Sequence, residues 1–192
     1  MGADEGGEKV RFLDLFAGIG GFRLGMERAG HTPVGWCEID KWAQKSYRAM
    51  HDTKGEWFAN DITQVDPGEL PEFDCLCAGF PCQAFSVAGK RRGFEDTRGT
   101  MFFQIARIAK AKRPALLFLE NVKGLLNHDK GRTFATILVT LDELGYDAEW
   151  QVLNSKDFGM PQIRERVFIV GHLRGKPRRE VFPIGQANEN TS

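Results

Sequence analysis

The sequence predicts an α/β protein, with a mostly parallel, twisted sheet and helices packed on both of its faces. Three observations predict it. Short apolar, β-prone runs alternate with helix-periodic segments from residue 10 to residue 173, which is the pattern of βαβ units. The run "PALLFLENV" (114–122) carries five apolar residues without polar alternation before Glu120, as expected of a strand buried on both faces. Glycine-bearing or acidic turns follow the strands, and ligands of such sheets bind beyond the carboxyl ends of the strands.

Each element can be justified in turn. "VRFLDLF" (10–16) reads as a buried strand, and "AGIGG" after it as a tight turn. "GFRLGMERAG" places Phe22, Met26 and Ala29 on one helical face, with Gly30 as the C-terminal cap. "PVGWCEI" (33–39) is a second strand. Asp40 can cap the helix "KWAQKSYRAM", whose Trp42, Ala43, Tyr47 and Met50 share a face. "FDCLCAGF" (73–80) is a strand followed by a long loop to Gly99, and Met101 to Lys112 is helix-periodic. After the apolar strand at 114–122, Thr133 to Leu144 is an amphipathic helix stopped by Gly145. "AEWQVLNS" and "ERVFIVGHL" are two further strands.

At 192 residues the chain suits one well-buried domain and is short for two. The boundaries expected are a flexible leader over 1–9, one domain over 10–175 and a polar, Pro-bearing tail over 176–192. The acidic, Gly-rich start "MGADEGGEKV" resembles neither a signal nor a transit peptide, and no apolar run reaches membrane-spanning length. A cytoplasmic protein is the expectation. Cys37, Cys75, Cys77 and Cys82 form no Cys-x-x-Cys pair and have no histidine nearby in sequence, so neither a metal site nor a disulfide framework is expected. Net charge is zero, which disfavours a whole-surface nucleic-acid binder. The charge is unevenly spread, however: Pro161 to Val181 holds six Arg or Lys against two Glu, and "GKRRG" is a second basic cluster.

The turns after the strands supply the site candidates "FAGIGG", "EID", "NDIT", "GFPCQ" and "ENV". In "FAGIGGFRLG", Gly18-x-Gly20 fits a dinucleotide fingerprint, but Arg23 stands where the third glycine would fall. A nicotinamide enzyme is therefore a weak reading. The turn still suits an adenosine, with Glu38 accepting from ribose hydroxyls and Asp61 from an adenine amino group. Alternatively, the glycines serve only the turn and Glu38 is a surface acid.

Cys75 and Cys77 alternate onto one strand face and read as small buried hydrophobes. Cys82 sits in a loop between Gly79 and Pro81 on one side and Gln83 on the other, at the ligand edge of the sheet. Glu120 emerges from an apolar strand, where partial desolvation suits a carboxyl to proton transfer. The plainer readings are an inert loop thiol and an exposed strand-end acid. Together, a thiolate, a proton-bearing carboxyl and an adenosine site fit one chemistry: thiolate addition to an electron-poor ring, with the ring carbon so activated taking a methyl group from S-adenosylmethionine.

The segments "FLDLFAGIGGF", "EID", "NDIT", "GFPCQAFSVAG", "ENV" and "QIRERVFIVG" span residues 11 to 171 in that order. With them the chain resembles the DNA (cytosine-5)-methyltransferase family, compact bacterial type. The resemblance implies the Rossmann-like fold of S-adenosylmethionine-dependent methyltransferases. It also implies roles by position. Cys82 would attack C6 of the target cytosine, Glu120 would engage N3 and the exocyclic amine, and Arg164 and Arg166 would contact the flipped base and the backbone around the nucleophile. Asp14, Phe16, Ala17, Gly18, Ile19, Gly20, Gly21, Glu38, Ile39, Asp61, Ile62, Gly79, Pro81 and Met101 would bind S-adenosylmethionine. Gln83, Ser86 and Arg98 would contact double-stranded DNA. The target base must leave the stack to be reached.

In this family a target-recognition region and two further segments follow the arginine motif, whereas here about twenty residues follow it, ending "ANENTS". The expectation is that a second polypeptide supplies recognition, or that the chain is a truncated member. An RNA cytosine-5 methyltransferase of the same architecture and a non-catalytic cofactor- or DNA-binding remnant are the alternatives.

Overall fold

The computed structural model describes residues 9–82, 101–177 and 179–184. Among the described residues, seven strands form one sheet in the order β3-β2-β1-β4-β5-β7-β6. They are β1 Arg11–Leu15, β2 Thr32–Cys37, β3 Trp57–Ala59, β4 Cys75–Gly79, β5 Leu116–Val122, β6 Tyr146–Asn154 and β7 Glu165–Leu173. The helices are α1 Gly21–Arg28, α2 Lys41–Met50, α3 Met101–Lys112 and α4 Arg132–Glu143. β3, β2, β1, β4 and β5 pair in parallel. β7 runs antiparallel to both β5 and β6, so the predicted mostly parallel sheet contains one reversed strand. The reversal follows from the short connection after β6, which folds back as a hairpin and leaves no room for a crossover helix.

The two faces of the sheet are covered unequally. Leu13, Leu15, Leu76, Leu117, Leu119 and Ile169 lie in one large core with Phe102, Ile105 and Ile108 of α3 and Ile137 and Leu141 of α4. On the opposite face Phe12, Cys75 and Cys77 meet Phe22 and Met26 of α1, with Leu116 and Phe118 only half-buried beside them. The prediction that Cys75 and Cys77 are buried fillers holds: their sulfurs lie 3.9 Å apart in this second core. The sheet order reverses direction between β1 and β4, and the carboxyl ends of these two strands therefore border the ligand crevice.

Local chemistry explains the helix ends. The Asp40 side chain accepts from the backbone N–H groups of Trp42 and Ala43, capping α2 as its position predicts. Gly30 adopts a φ of 87° just beyond α1, in the left-handed region that closes a helix without Cβ strain. The predicted apolar face of α2 is corrected by the structure. Tyr47 is buried, but Trp42 is 76% and Met50 56% exposed. α2 lies at the narrow end of the sheet and meets it mainly through Tyr47, which stacks on Trp36 with ring centroids 4.3 Å apart. Ala29, expected on one helical face with Phe22 and Met26, is the exposed C-cap of α1.

Arg23 departs from the dinucleotide pattern because it has structural work elsewhere. Its guanidinium is buried and bonds Glu27, both carboxylate oxygens of Glu56 and the Asp52 carbonyl. Burial opposes its charge, yet the Glu56 pairing and the Tyr47 hydroxyl outweigh that and hold it charged. The clamp ties α1 to the connection between α2 and β3.

Asp14 is fully enclosed and takes a hydrogen bond from the Tyr47 hydroxyl at 3.2 Å, while its Oδ1 has no partner. Burial pushes its carboxyl up from 3.8 to about 8. A carboxyl whose pKa is raised by folding favours the folded state most below the unfolded pKa, and that preference is lost as pH rises through the folded one. Stability should therefore fall between about pH 4 and about pH 8 on account of Asp14. At about 1.4 kcal/mol per pH unit, the sum is of the order of a few kcal/mol. Asp14→Asn should flatten this slope, gaining more at pH 8 than at pH 5. Urea unfolding midpoints of both proteins at the two pH values check it, and parallel pH profiles would refute the assignment.

Candidate active site

The first half of the site forms where β1 ends. Phe16 takes a φ of 55°, Gly18 of 55° and Gly20 of 93°, so the chain turns sharply in left-handed conformations. A non-glycine residue there is strained, and such strain persists where surrounding structure over-determines it. That surrounding structure is visible. The Ala17 N–H donates to the Cys37 carbonyl at 3.1 Å, and the Gly20 N–H to the Ala17 carbonyl at 2.8 Å. The Gly18 N–H donates to Glu38 Oε2 at 2.8 Å, and the Asp40 N–H to Glu38 Oε1, also at 2.8 Å. Glu38 thus joins the turn after β1 to the turn after β2.

Each of these carboxylate oxygens retains acceptor capacity beyond one N–H bond. Asp61, beyond β3, uses Oδ1 to accept from the N–H and hydroxyl of Thr63, which starts a short 3-10 turn. No atom lies within 4 Å of the Cβ position at Gly18, so the backbone there presents an open face. Ile19 and Ile39 flank it, 58% and 71% exposed. An open glycine turn, two carboxylates and two apolar side chains fit an adenosyl group, with its polar ribose and flat base.

The other expected cofactor residues are placed differently. Asp14, Ala17 and Ile62 are buried. They support the turns from beneath, because the strand pleat directs Asp14 inward against α2. Gly21 opens α1, Met101 begins α3, and Pro81 is exposed.

The second half of the site forms at the ends of β4 and β5. Gly79 pairs with Glu120 across these strands, and a Cβ on Gly79 would stand 3.4 Å from Glu120 Oε2 and 3.9 Å from the Phe22 ring. Glycine here keeps the carboxylate and the end of β4 in close approach. Arg166 comes in from the reversed strand β7, opposite Val122. Its Nε lies 2.8 Å from Glu120 Oε1, with the two side chains about one-fifth exposed, at 22% and 21%. A partly enclosed pair of this kind is better oriented than a surface salt bridge. Cys82 is the exposed cysteine among Cys37, Cys75, Cys77 and Cys82, two residues beyond Phe80.

Arg164 is not brought onto Glu120. Its side chain is exposed, while its backbone N–H and carbonyl are held by Asn154 Oδ1 and the Ser155 N–H. Gln83, Ser86 and Arg98 lie outside the described residues. Among the described residues no helix is long and apolar enough to cross a membrane, and no cluster of three or more His, Cys, Asp and Glu could hold a metal ion.

Sequence reading missed Asn121. It is buried, donates from Nδ2 to the Phe80 carbonyl at 2.9 Å, and accepts the Val122 N–H at Oδ1 at 2.8 Å. Pro81 has no N–H to donate, and the Phe80 carbonyl just before it is held by Asn121 from the neighbouring strand. The signal was present: an amide closing an apolar strand must find buried partners.

The fold is the Rossmann-like one of S-adenosylmethionine-dependent methyltransferases, and a thiol, a carboxylate and a guanidinium lie at the carboxyl ends of its central strands. Residues 10–191 match the family model described as C-5 cytosine-specific DNA methylase, and the chain belongs to that family. It is 50% identical over 184 residues to the type II methyltransferase M.NgoBI of Neisseria gonorrhoeae, covering 93% of this chain and 57% of that protein. It is 50% identical over 161 residues to M.HhaI of Haemophilus parahaemolyticus, covering 84% and 48%. The chain therefore spans about half the length of these relatives. Among solved structures, a DNMT2 variant of Spodoptera frugiperda superposes with a TM-score of 0.69 at 23% identity, covering 93% of this chain and 53% of that one. The Entamoeba histolytica methyltransferase EhMeth gives 0.68 at 20% identity, covering 95% and 58%. These two show the fold.

Proposed function

We propose that this chain is the catalytic part of an enzyme that methylates C5 of cytosine in DNA. The observation that carries the reading is the convergence of Glu120, paired with Arg166 at 2.8 Å, on the end of β4 from which Pro81 and Cys82 depart. S-adenosylmethionine, when bound, supplies an electrophilic methyl group. The glycine turn, Glu38 and Asp61 would hold its adenosyl part, with Ile19 and Ile39 against the apolar surfaces.

The Cys82 thiolate adds to C6 of a cytosine turned out of the helix, forming a C6–S bond. Glu120 shares a proton with N3, so the electron pair released from the ring C5–C6 bond is stabilised as C5 becomes nucleophilic. C5 would then take the methyl group, the bond from that carbon to the donor's sulfur breaking so that the donor would depart as a neutral thioether. Loss of the C5 proton to a base and expulsion of the Cys82 thiolate restore the aromatic ring. Arg166 holds the Glu120 carboxyl in place, and Gln83, Ser86 and Arg98 contact the DNA around the nucleophile.

We further propose that target recognition comes from polypeptide beyond these 192 residues, in the same chain or in a second one. The half-covered face of the sheet supports this. Leu117 and Leu119 are fully buried, whereas Leu116, Phe118 and Phe168 on the other face are only half-buried. Apolar surface of this kind is a packing site for a further segment. The basic stretch from Arg164 to Arg179 can still contact phosphates, giving weak, salt-sensitive binding. The test is methyl transfer from labelled S-adenosylmethionine to duplex DNA, by the purified chain alone and with a polypeptide carrying a recognition region. Site-specific activity should require both, eluting as one complex. Robust site-specific methylation by the chain alone would overturn the arrangement.

A further inference from the structure

Between the cofactor turn and the C-terminal end of α2 lies a contact to which neither the fold nor the proposed reaction assigns a purpose. His51 follows α2 directly, and its backbone N–H donates to the Tyr47 carbonyl at 3.0 Å. Its side chain is almost fully enclosed, only 4% exposed. Nε2 lies 3.3 Å from the Ile19 carbonyl. A carbonyl can only accept, so Nε2 carries the proton in this contact. Nδ1 faces Glu27 at 3.8 Å, and the ring packs on Tyr47 with centroids 4.8 Å apart.

The fit is close on the turn side as well. A Cβ on Gly20 would stand 2.2 Å from His51 Nε2 and 3.1 Å from the Tyr47 ring. The absence of a side chain at Gly20 is thus what admits the imidazole beneath the turn. The backbone tethers of the turn run to β2, to α1 through the Leu24 N–H on the Gly20 carbonyl, and within the turn itself, and Glu38 holds the Gly18 N–H. His51 supplies a side-chain tether on the flank towards α1, and it grips the peptide that joins Ile19 to Gly20.

We propose that His51 is a positioning residue for cofactor binding, holding the Ile19–Gly20 peptide so that the turn is already shaped before the adenosyl group arrives. The inference rests on the reading of this turn as the S-adenosylmethionine site. Pre-organisation of this kind lowers the ordering cost of binding, and one hydrogen bond of ordinary strength corresponds to about a three- to tenfold change in affinity.

The test uses His51→Leu, which fills the space without a donor, and His51→Gln, which restores one, each in the complete active enzyme. Calorimetry should give a several-fold weaker S-adenosylmethionine affinity for His51→Leu and a partial return for His51→Gln. In steady-state assays the loss should fall on KM for the cofactor more than on kcat. Amide hydrogen exchange at Ile19 and Gly20 in the cofactor-free protein should be faster in His51→Leu, whatever the cofactor proves to be. Unchanged affinity and unchanged exchange in His51→Leu would overturn the proposal. So would an equal loss in both variants that follows their melting temperatures, since that would make His51 a stability residue. Failure of the unaltered enzyme to bind S-adenosylmethionine, with turn exchange still accelerated in His51→Leu, would refute the cofactor reading and, with it, the cofactor role given to His51.

Discussion

Replacing Cys82 with alanine should abolish covalent capture of DNA. In the complete enzyme, a duplex carrying 5-fluorocytosine at the target should form a stable adduct in the presence of S-adenosylmethionine. Fluorine cannot depart as a cation, so the final elimination stalls and the C6–S bond persists. The expected loss in Cys82→Ala is total, because without the thiolate nothing activates C5. Cys75→Ala should still form the adduct, since Cys75 is buried against Cys77 in the second core and faces away from solvent. Denaturing electrophoresis and mass spectrometry of the linked peptide read both outcomes. An undiminished adduct in Cys82→Ala would remove Cys82 from the mechanism.

The second large effect is expected at Glu120. Glu120→Gln keeps the shape of the side chain but removes both the exchangeable acid and the ion pair with Arg166 at 2.8 Å. Loss of a general acid–base group ordinarily slows the chemical step by about 10²- to 10⁴-fold, and single-turnover methyl transfer should show a loss in that range. Cofactor affinity should change little, because the carboxylates expected to hold the adenosyl group are Glu38 and Asp61. Glu38→Ala is the complementary control. It also releases the Gly18 and Asp40 N–H groups, so its loss should appear mainly in S-adenosylmethionine binding. If calorimetry found Glu120→Gln weak for cofactor and Glu38→Ala normal, the two halves of the site would have to be exchanged.

Much of the site was legible in the sequence because its parts sit where strands end. Glycine turns, a proline–cysteine pair and acids after apolar runs are local signals, and the sheet gathers the carboxyl ends of its strands at one edge. Burial was less legible. Asp14 and Glu38 are both acids near the same turn, yet Asp14 faces inward to Tyr47 while Glu38 holds two backbone N–H groups. Nothing local separates them, since strand parity decides which way each side chain points. The apolar face assigned to α2 failed for a related reason. Periodicity shows which residues share a face, and only the extent of the neighbouring sheet shows whether that face is covered.

The sequence by itself determined the order of elements, the turns that carry polar groups and the family of the chain. These depend on backbone propensity, turn chemistry and residue order, all of which act over a few residues. Only the tertiary structure decided that β7 runs backwards between β5 and β6, and this reversal sets Arg166 against Glu120. Only the tertiary structure placed Asn121 under the Phe80 carbonyl, Arg23 within its cage of acids and His51 beneath Gly20. Each of these contacts joins segments distant in sequence. Their partners follow from strand order and side-chain direction, which the packing of the whole sheet settles.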